Sequence, residues 1–103
     1  MILSSLSTEF VKVPVKTIIN GVTYDPHNDV ITMAFPAHGI DPAGGDWKAA
    51  SWEADGNGGW MARSLVGPSS SNITLATGLY DVWLKIADSP EIPIHKVGLL
   101  EVA

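Results

Sequence analysis

Turn-forming residues interrupt this chain so often that they limit it to short extended segments. Ten Gly and seven Pro are spread over 103 residues, and they leave stretches of only about five to nine residues between them. No stretch carries apolar residues at the three- and four-residue spacing of a long amphipathic helix. The stretches are rich in Val, Ile, Thr and aromatic residues, which favour strands. The spacing of the turn-forming residues and the composition of the stretches between them therefore predict an all-β protein.

Alternation of apolar and polar residues locates the individual strands, because successive side chains of a strand point to opposite faces. The segments predicted as strands are 9–19, 30–35, 47–54, 60–66, 73–75, 79–87 and 94–102, with a short extended piece at 22–24. The positions predicted to face the core are Val11, Val13, Val15, Ile31, Met33, Phe35, Tyr80, Val82, Leu84 and Ile86. About seven strands, with turn signals every 8–12 residues or so, predict a single small antiparallel β-sandwich of Ig-like or Greek-key type.

Two residues refine this fold prediction. Pro14 has no N–H to donate to a neighbouring strand, so the first long strand is expected at a sheet edge or to carry a break there. Tyr80 follows Gly78 at the entry to the most regular strand, which resembles the tyrosine corner of Greek-key sandwiches. Asn20-Gly21 and Asn57-Gly58 are predicted as tight turns.

Composition and charge exclude several classes of function. There is no cysteine, so disulfide scaffolds, iron–sulfur proteins and thiol enzymes are excluded. The formal net charge is -5, with 6 basic and 11 acidic residues, which argues against nucleic acid as a partner. No apolar run is long enough for a membrane span, and the start of the chain lacks the basic region of a signal peptide. Location in a cytoplasm, or in a particle assembled there, is the expectation.

Candidate catalytic and metal-binding residues form no recognisable pattern. His27, His38 and His95 are far apart and lack metal-ligand spacing. The glycine-rich stretch 55–59 begins like a calcium loop, but Trp60 stands where that loop needs Gly and Val66 where it needs Glu. Asn72-Ile73-Thr74 matches a glycosylation sequon, and without a secretory signal it is interpreted as chance. We therefore predict no catalytic residue, no metal, no cofactor and no small-molecule substrate.

Four tryptophans raise the alternative of a carbohydrate-binding module, which needs two or three exposed aromatic residues on one face. Trp47 and Trp52 are predicted on opposite faces of one strand. Trp52 and Trp60 flank one turn and could be cross-strand neighbours. Trp83 alternates with Asp81 and Lys85, so it is expected to point outward, where tryptophan is typical of protein–protein contacts.

Several segments together resemble a family of small β-sandwich proteins encoded among the virion structural genes of tailed phages that infect actinobacteria. The resemblance covers residues 8–102. The segments that carry it are Thr-Glu-Phe-Val-Lys-Val-Pro-Val (8–15), Val-Ile-Thr-Met-Ala-Phe-Pro (30–36), Ala-Ser-Trp-Glu (50–53), Met-Ala-Arg-Ser-Leu-Val-Gly-Pro (61–68), Gly-Leu-Tyr-Asp-Val-Trp-Leu-Lys-Ile-Ala-Asp-Ser-Pro-Glu (78–91) and Val-Gly-Leu-Leu-Glu-Val (97–102).

The resemblance implies a non-enzymatic virion protein, most simply a capsid decoration or minor capsid protein that binds the major capsid protein and copies of itself. A head–tail connector, a tail component and a carbohydrate-binding attachment module stay open as alternatives. We predict an N-terminal arm at residues 1–8 that reaches a neighbouring chain, followed by the sandwich domain at 9–103. The predicted interface residues are Ile2, Leu3, Leu6, Phe35, Ile40, Trp47 and Trp83.

Overall fold

The computed structural model describes residues 1–15, 17–19, 22–24, 30–54, 56, 59–68, 73–87 and 94–103, with 17–19 and 22–24 described as backbone strands only. The predicted turns at Asn20-Gly21 and Asn57-Gly58, together with His27 and Asn72, lie outside these residues. Within them the chain forms ten strands and one short 3₁₀ turn at Gly44–Asp46. The strands are β1 (Ile2–Leu3), β2 (Glu9–Val15), β3 (Thr17–Ile19), β4 (Val22–Tyr24), β5 (Val30–Ala34), β6 (Lys48–Ala49), β7 (Ser51–Ala54), β8 (Trp60–Val66), β9 (Gly78–Ala87) and β10 (Ile94–Val102).

Two sheets enclose one core and confirm the predicted all-β sandwich. One sheet has five strands in the order β1-β10-β9-β5-β6, and the other has three in the order β2-β8-β7. The orders β10-β9-β5-β6 and β2-β8-β7 correspond to G-F-C-C′ and B-E-D of immunoglobulin-type Greek-key sandwiches. β3 and β4 form a separate two-stranded hairpin between β2 and β5. All pairings are antiparallel except β1 with β10, which is parallel and makes the larger sheet mixed.

The core is built from the alternate residues that the sequence pattern selects. Inward side chains of β2, β5, β8 and β9 and the end of β10 supply it, so both sheets contribute. The buried cluster contains Leu3, Val11, Val13, Ile31, Met33, Phe35, Ala62, Val66, Ile73, Val82, Leu84, Leu100 and Val102, with Val15, Tyr80 and Ile86 packed against it. The predicted core face of β2, β5 and β9 is thereby confirmed.

Crossing chain segments close both margins of the sandwich. Residues 4–8 lead from β1 in the larger sheet to β2 in the smaller one. On the opposite side the chain passes from β6 to β7 at Ala50, whose N–H donates to the Ile31 carbonyl at 3.3 Å. The buried Ser64 hydroxyl of β8 donates to the Ala49 carbonyl at 3.2 Å and ties the sheets together there. The chain thus links the two sheets at both sides of the sandwich, while β2 and β7 remain the edge strands of the smaller sheet.

Three details of the strand prediction are wrong. The predicted strand 47–54 is two strands in different sheets, because the chain changes sheet at Ala50. The segment 73–75 is not a strand; buried Ile73 accepts a hydrogen bond from the Gly67 N–H at 3.0 Å instead. The predicted strand 9–19 is also two strands, β2 and β3, which lie in different sheets. The larger number of strands comes from these breaks and from β1, which is too short to show a period.

The tyrosine corner and the edge position of Pro14 are both confirmed. The Tyr80 hydroxyl donates to the Ala76 carbonyl at 2.7 Å, four residues upstream and at the start of the strand equivalent to F. β2 lies at one edge of the three-stranded sheet and pairs only with β8. An edge strand is the position at which a sheet tolerates proline, which has no N–H to donate.

Candidate interaction surfaces

The first eight residues are not a free arm. β1 pairs with Glu101 and Val102 of β10, the Met1 carbonyl accepts from the Glu101 N–H at 2.9 Å, and the Leu3 carbonyl accepts from the Ala103 N–H at 2.9 Å. Leu3 is only 5% exposed and belongs to the core. Leu3 was therefore wrongly predicted as an interface residue, because a two-residue strand has no alternation by which the sequence could reveal its partner.

The N-terminal margin nevertheless exposes apolar side chains. We use this name for Met1, Ile2 and Leu6. Leu6 is 89% exposed and Ile2 73% exposed, the two highest values for any large apolar side chain in the described part of the chain. Leu6 lies in the turn that carries the chain between the sheets, where the Ser7 N–H donates to the Ser4 carbonyl at 3.0 Å. Exposure of this kind leaves Ile2 and Leu6 available to another molecule.

The other four predicted interface residues divide between core and surface. Phe35 is buried in the core, so its assignment to an interface is wrong; its parity in β5 places it inward with Ile31 and Met33. Ile40 is exposed on the turn after β5. Trp47 and Trp83 are half-buried. Trp83 lies on the outer face of the larger sheet as predicted, opposite Ala34 and Lys96 of the neighbouring strands.

A stripe of apolar and charged residues crosses the outer face of the larger sheet. Leu79, Leu99 and the flanking Lys96 and Glu101 form it, and we call it the Leu99 stripe. Leu99 is 45% and Leu79 41% exposed. Along β9, Lys96 pairs with Trp83, Leu99 with Asp81, and Glu101 with Leu79. Leu99 is thus midway between a cation and an anion on one face.

A β-bulge puts these side chains on the same face. The register shifts between Lys96 and Gly98, so one extra residue is inserted in β10. In a regular strand Lys96 and Glu101 are five positions apart and point to opposite faces. Sequence alternation alone therefore missed this surface, although the parity of Leu79 with Asp81 and Trp83 was visible.

Asp81 anchors the turn that follows β5 to the outer face of β9. Its carboxylate accepts from His38 Nδ1 at 2.8 Å and from the Gly39 N–H at 2.9 Å, and its side chain is 4% exposed. The hydrogen bond from Gly39 and that from His38 lower the pKa of Asp81 below its ordinary value of 3.8, and the charge of Lys96 acts in the same direction. The sequence placed Asp81 outward and His38 in a loop, but it offered no signal that the two meet.

A second charged cluster lies on the outer face of the smaller sheet. Glu53 contacts Lys12 Nζ at 2.9 Å through Oε2 and accepts from Arg63 at 3.0 Å through Oε1. The hydrogen bond to Lys12 and the two cationic charges lower the pKa of Glu53. Arg63 also lies over the ring of Phe10, 4.3 Å from its centroid. This face is a charge network around partly exposed Phe10 and Leu65, and its cations are already paired.

The tryptophans do not form an exposed platform. All four are half-buried, and Trp52 packs against the core. Lys85 Nζ lies 4.4 Å from the Trp47 ring centroid. Trp52 and Trp60 lie on the same face of neighbouring strands, in adjacent rows of the register. Lys85 and Trp83 are two residues apart on β9, so Trp47 and Trp83 lie on the same side of the larger sheet, each half-buried. Carbohydrate binding stays an untested alternative.

The described residues offer few other candidates for a metal or ligand site. Among them no group of three His, Asp or Glu side chains is placed to hold a metal ion. An open cleft of about 300 Å³ lies between 45–48 and 73–75 and is also lined by Phe35. Its acid, Asp46, accepts from the Ala43 N–H at 2.8 Å and closes its own turn. In this part of the chain no helix has the length and apolarity to cross a membrane.

Comparisons with protein-family models, with curated proteins and with solved structures each found no match to this chain. The fold assignment accordingly stands on the strand order and register described above.

Proposed function

We propose that this chain is a non-enzymatic structural protein of a tailed-phage particle, most simply a capsid decoration or minor capsid protein that binds the major capsid protein in the assembled shell. Its place would be the virion, assembled in the host cytoplasm. The proposal rests on the resemblance of residues 8–102 to such proteins. The observation that carries it is the N-terminal margin, where Leu6 and Ile2, the two most exposed large apolar side chains among the described residues, lie close in sequence.

The exposed apolar side chains and the net charge of the protein are compatible with such a role. Apolar side chains removed from water at a contact contribute roughly 25 cal/mol per Å². A protein that binds only the assembled shell stabilises that shell by mass action. The net charge of -5 disfavours contact with packaged DNA, as an external position requires. Binding through a margin leaves both sheet faces free for further contacts.

The copy number in purified particles tests this function. Quantitative mass spectrometry of virions from the phage that encodes the chain should find on the order of hundreds of copies, as expected for a protein repeated over a shell. About six or twelve copies would instead assign it to a connector or tail ring. Absence of the protein from purified particles would overturn the proposal.

A matched pair of variants tests the attachment surface. Leu6→Asp should weaken binding to shells by at least about tenfold, because it places a charge in an apolar contact. Val30→Asp is the control, since Val30 is also highly exposed but lies at the start of β5, away from β1. Binding is measured by co-sedimentation with shells that lack the protein. Equal loss of binding in both variants, or in neither, would contradict attachment through the N-terminal margin.

A further inference from the structure

We propose that the Leu99 stripe binds a second copy of this chain, face to face, about a two-fold axis that crosses the strands at the level of Leu99. The proposal concerns a surface other than the N-terminal margin, and it deepens the proposed function by naming one of the contacts from which an assembly would be built.

The register of β10 against β9 makes the stripe symmetric about Leu99. Lys96, Leu99 and Glu101 lie opposite Trp83, Asp81 and Leu79, and these β9 positions are two residues apart. Each step along the strand is therefore about 6.6 Å. The cation and the anion lie at equal distances on either side of the apolar side chain, and all three side chains are exposed.

This arrangement is complementary to itself. In a two-fold contact the same patch is used by both partners, so every residue meets the image of another. An axis through the level of Leu99 exchanges the ends of the stripe. Lys96 of each copy then faces Glu101 of the other, Leu79 faces Trp83, and Leu99 meets Leu99. Two ion pairs flank an apolar centre, the usual arrangement of core and rim in a protein–protein contact.

The surroundings of the stripe support a copy of the chain over an unrelated partner. Asp81, which lies at the level of the axis, is covered by His38 and Gly39, so no uncompensated carboxylate would be buried at the centre. Exposed Ile40 is on the same turn as His38. A partner of uniformly acidic or basic surface would face a charge of its own sign at one end of the stripe.

Charge reversal provides the test. Lys96→Glu and Glu101→Lys each place like charges opposite one another in the dimer, and each should raise the dimer dissociation constant by at least about tenfold. The double variant Lys96→Glu/Glu101→Lys restores opposite charges and should recover most of the wild-type affinity. The measurement is sedimentation velocity over a dilution series of the full chain, up to about 1 mM protein.

A charged substitution at Leu99 tests the apolar centre of the contact. Leu99→Lys should give a monomer over the same series, because two cations would meet on the axis. Lysine is chosen because the residue opposite in β9 is Asp81, with which a cation is compatible. Leu65→Lys on the outer face of β8 is the matched control and should leave association unchanged. Thermal unfolding of every variant verifies the fold.

Three results would overturn the inference: a wild-type chain that is monomeric at every concentration, a dimer that survives Leu99→Lys, or single charge reversals that the double variant does not rescue. Shell binding is a separate readout. Loss of self-association with intact attachment through Leu6 would leave the proposed function standing, and absence from particles with an intact dimer would do the reverse.

Discussion

Gly67 is the residue at which backbone freedom is most clearly required. Its φ is +144°, a backbone conformation that residues other than glycine rarely adopt. It directly follows β8 and lies against Ser7 and Thr8, in the segment that crosses between the sheets. A Cβ at this position would lie 2.6 Å from the Thr8 Cα and would also collide with the Ser7 carbonyl oxygen. Both contacts are with backbone, which cannot rotate away.

Gly67→Ala should therefore lower the free energy of unfolding by about 2 kcal/mol or more, through backbone strain and overpacking. Chemical denaturation measures the change. Gly44→Ala is the control, because nothing lies within 4 Å of a Cβ there. Equal stabilities of the two variants would show that residues 7–8 can move away from β8 at little cost.

Asp81 should make the free energy of unfolding depend on pH in a defined direction. Its folded pKa lies below the ordinary 3.8, because Gly39 and His38 donate to the carboxylate. The anchoring of the turn thus contributes stability above about pH 3.8, and this contribution is lost as the pH falls through the folded pKa. Asp81→Asn should be less stable than wild type near neutral pH, with the difference shrinking in acid. A difference that stays constant between about pH 7 and pH 3 would contradict this role.

Among the elements, β1 shows that a strand of only two residues can supply a core side chain. Two residues pair in parallel with the end of β10, one side chain enters the core and the other faces solvent. Leu3→Ala should cost about 2–5 kcal/mol in the free energy of unfolding, the usual range for a truncated buried leucine. Ile2→Ala, the control beside it, should change stability by less than about 0.5 kcal/mol.

Denaturant titration of these two variants distinguishes a structural strand from an arm. If Leu3→Ala were as mild as Ile2→Ala, residues 1–3 would not be held on β10 in solution. The original expectation of an arm on a neighbouring chain would then return.

β10 shows that the bounds of a strand can be predicted from the sequence although its two faces cannot. Its bounds, 94–102, agree with the sequence prediction. Its faces do not follow from alternation, because the bulge between Lys96 and Gly98 exchanges them midway. The Leu99 stripe exists only because of that exchange, so the surface on which the inferred self-association depends could not be read from the period of the strand.

At the scale of the whole molecule, the sandwich has two different outer faces, and the chain crosses between the sheets at each side. The smaller sheet presents the paired charges of Lys12, Glu53 and Arg63. The larger sheet presents Leu79, Leu99 and Val97 beside half-buried Trp83. Both outer faces therefore combine charged side chains with exposed apolar ones, and the N-terminal margin adds exposed Ile2 and Leu6. We propose assembly through the larger sheet and the margin, and the variants of Leu99 and Leu6 described above test each surface separately.

The fold class, the long strands, the core positions of β2, β5 and β9, the edge strand with Pro14 and the tyrosine corner were all predictable from the sequence. Each depends on side-chain alternation or on turn residues within about ten positions, and such local patterns are physically sufficient to choose an inward face. The pairing of β1 with β10, the change of sheet at Ala50, the contact of Asp81 with His38 and the placement of Lys96 with Glu101 were decided by the tertiary structure. These features join residues far apart in the chain or follow a bulge, and their positions are set by packing and register.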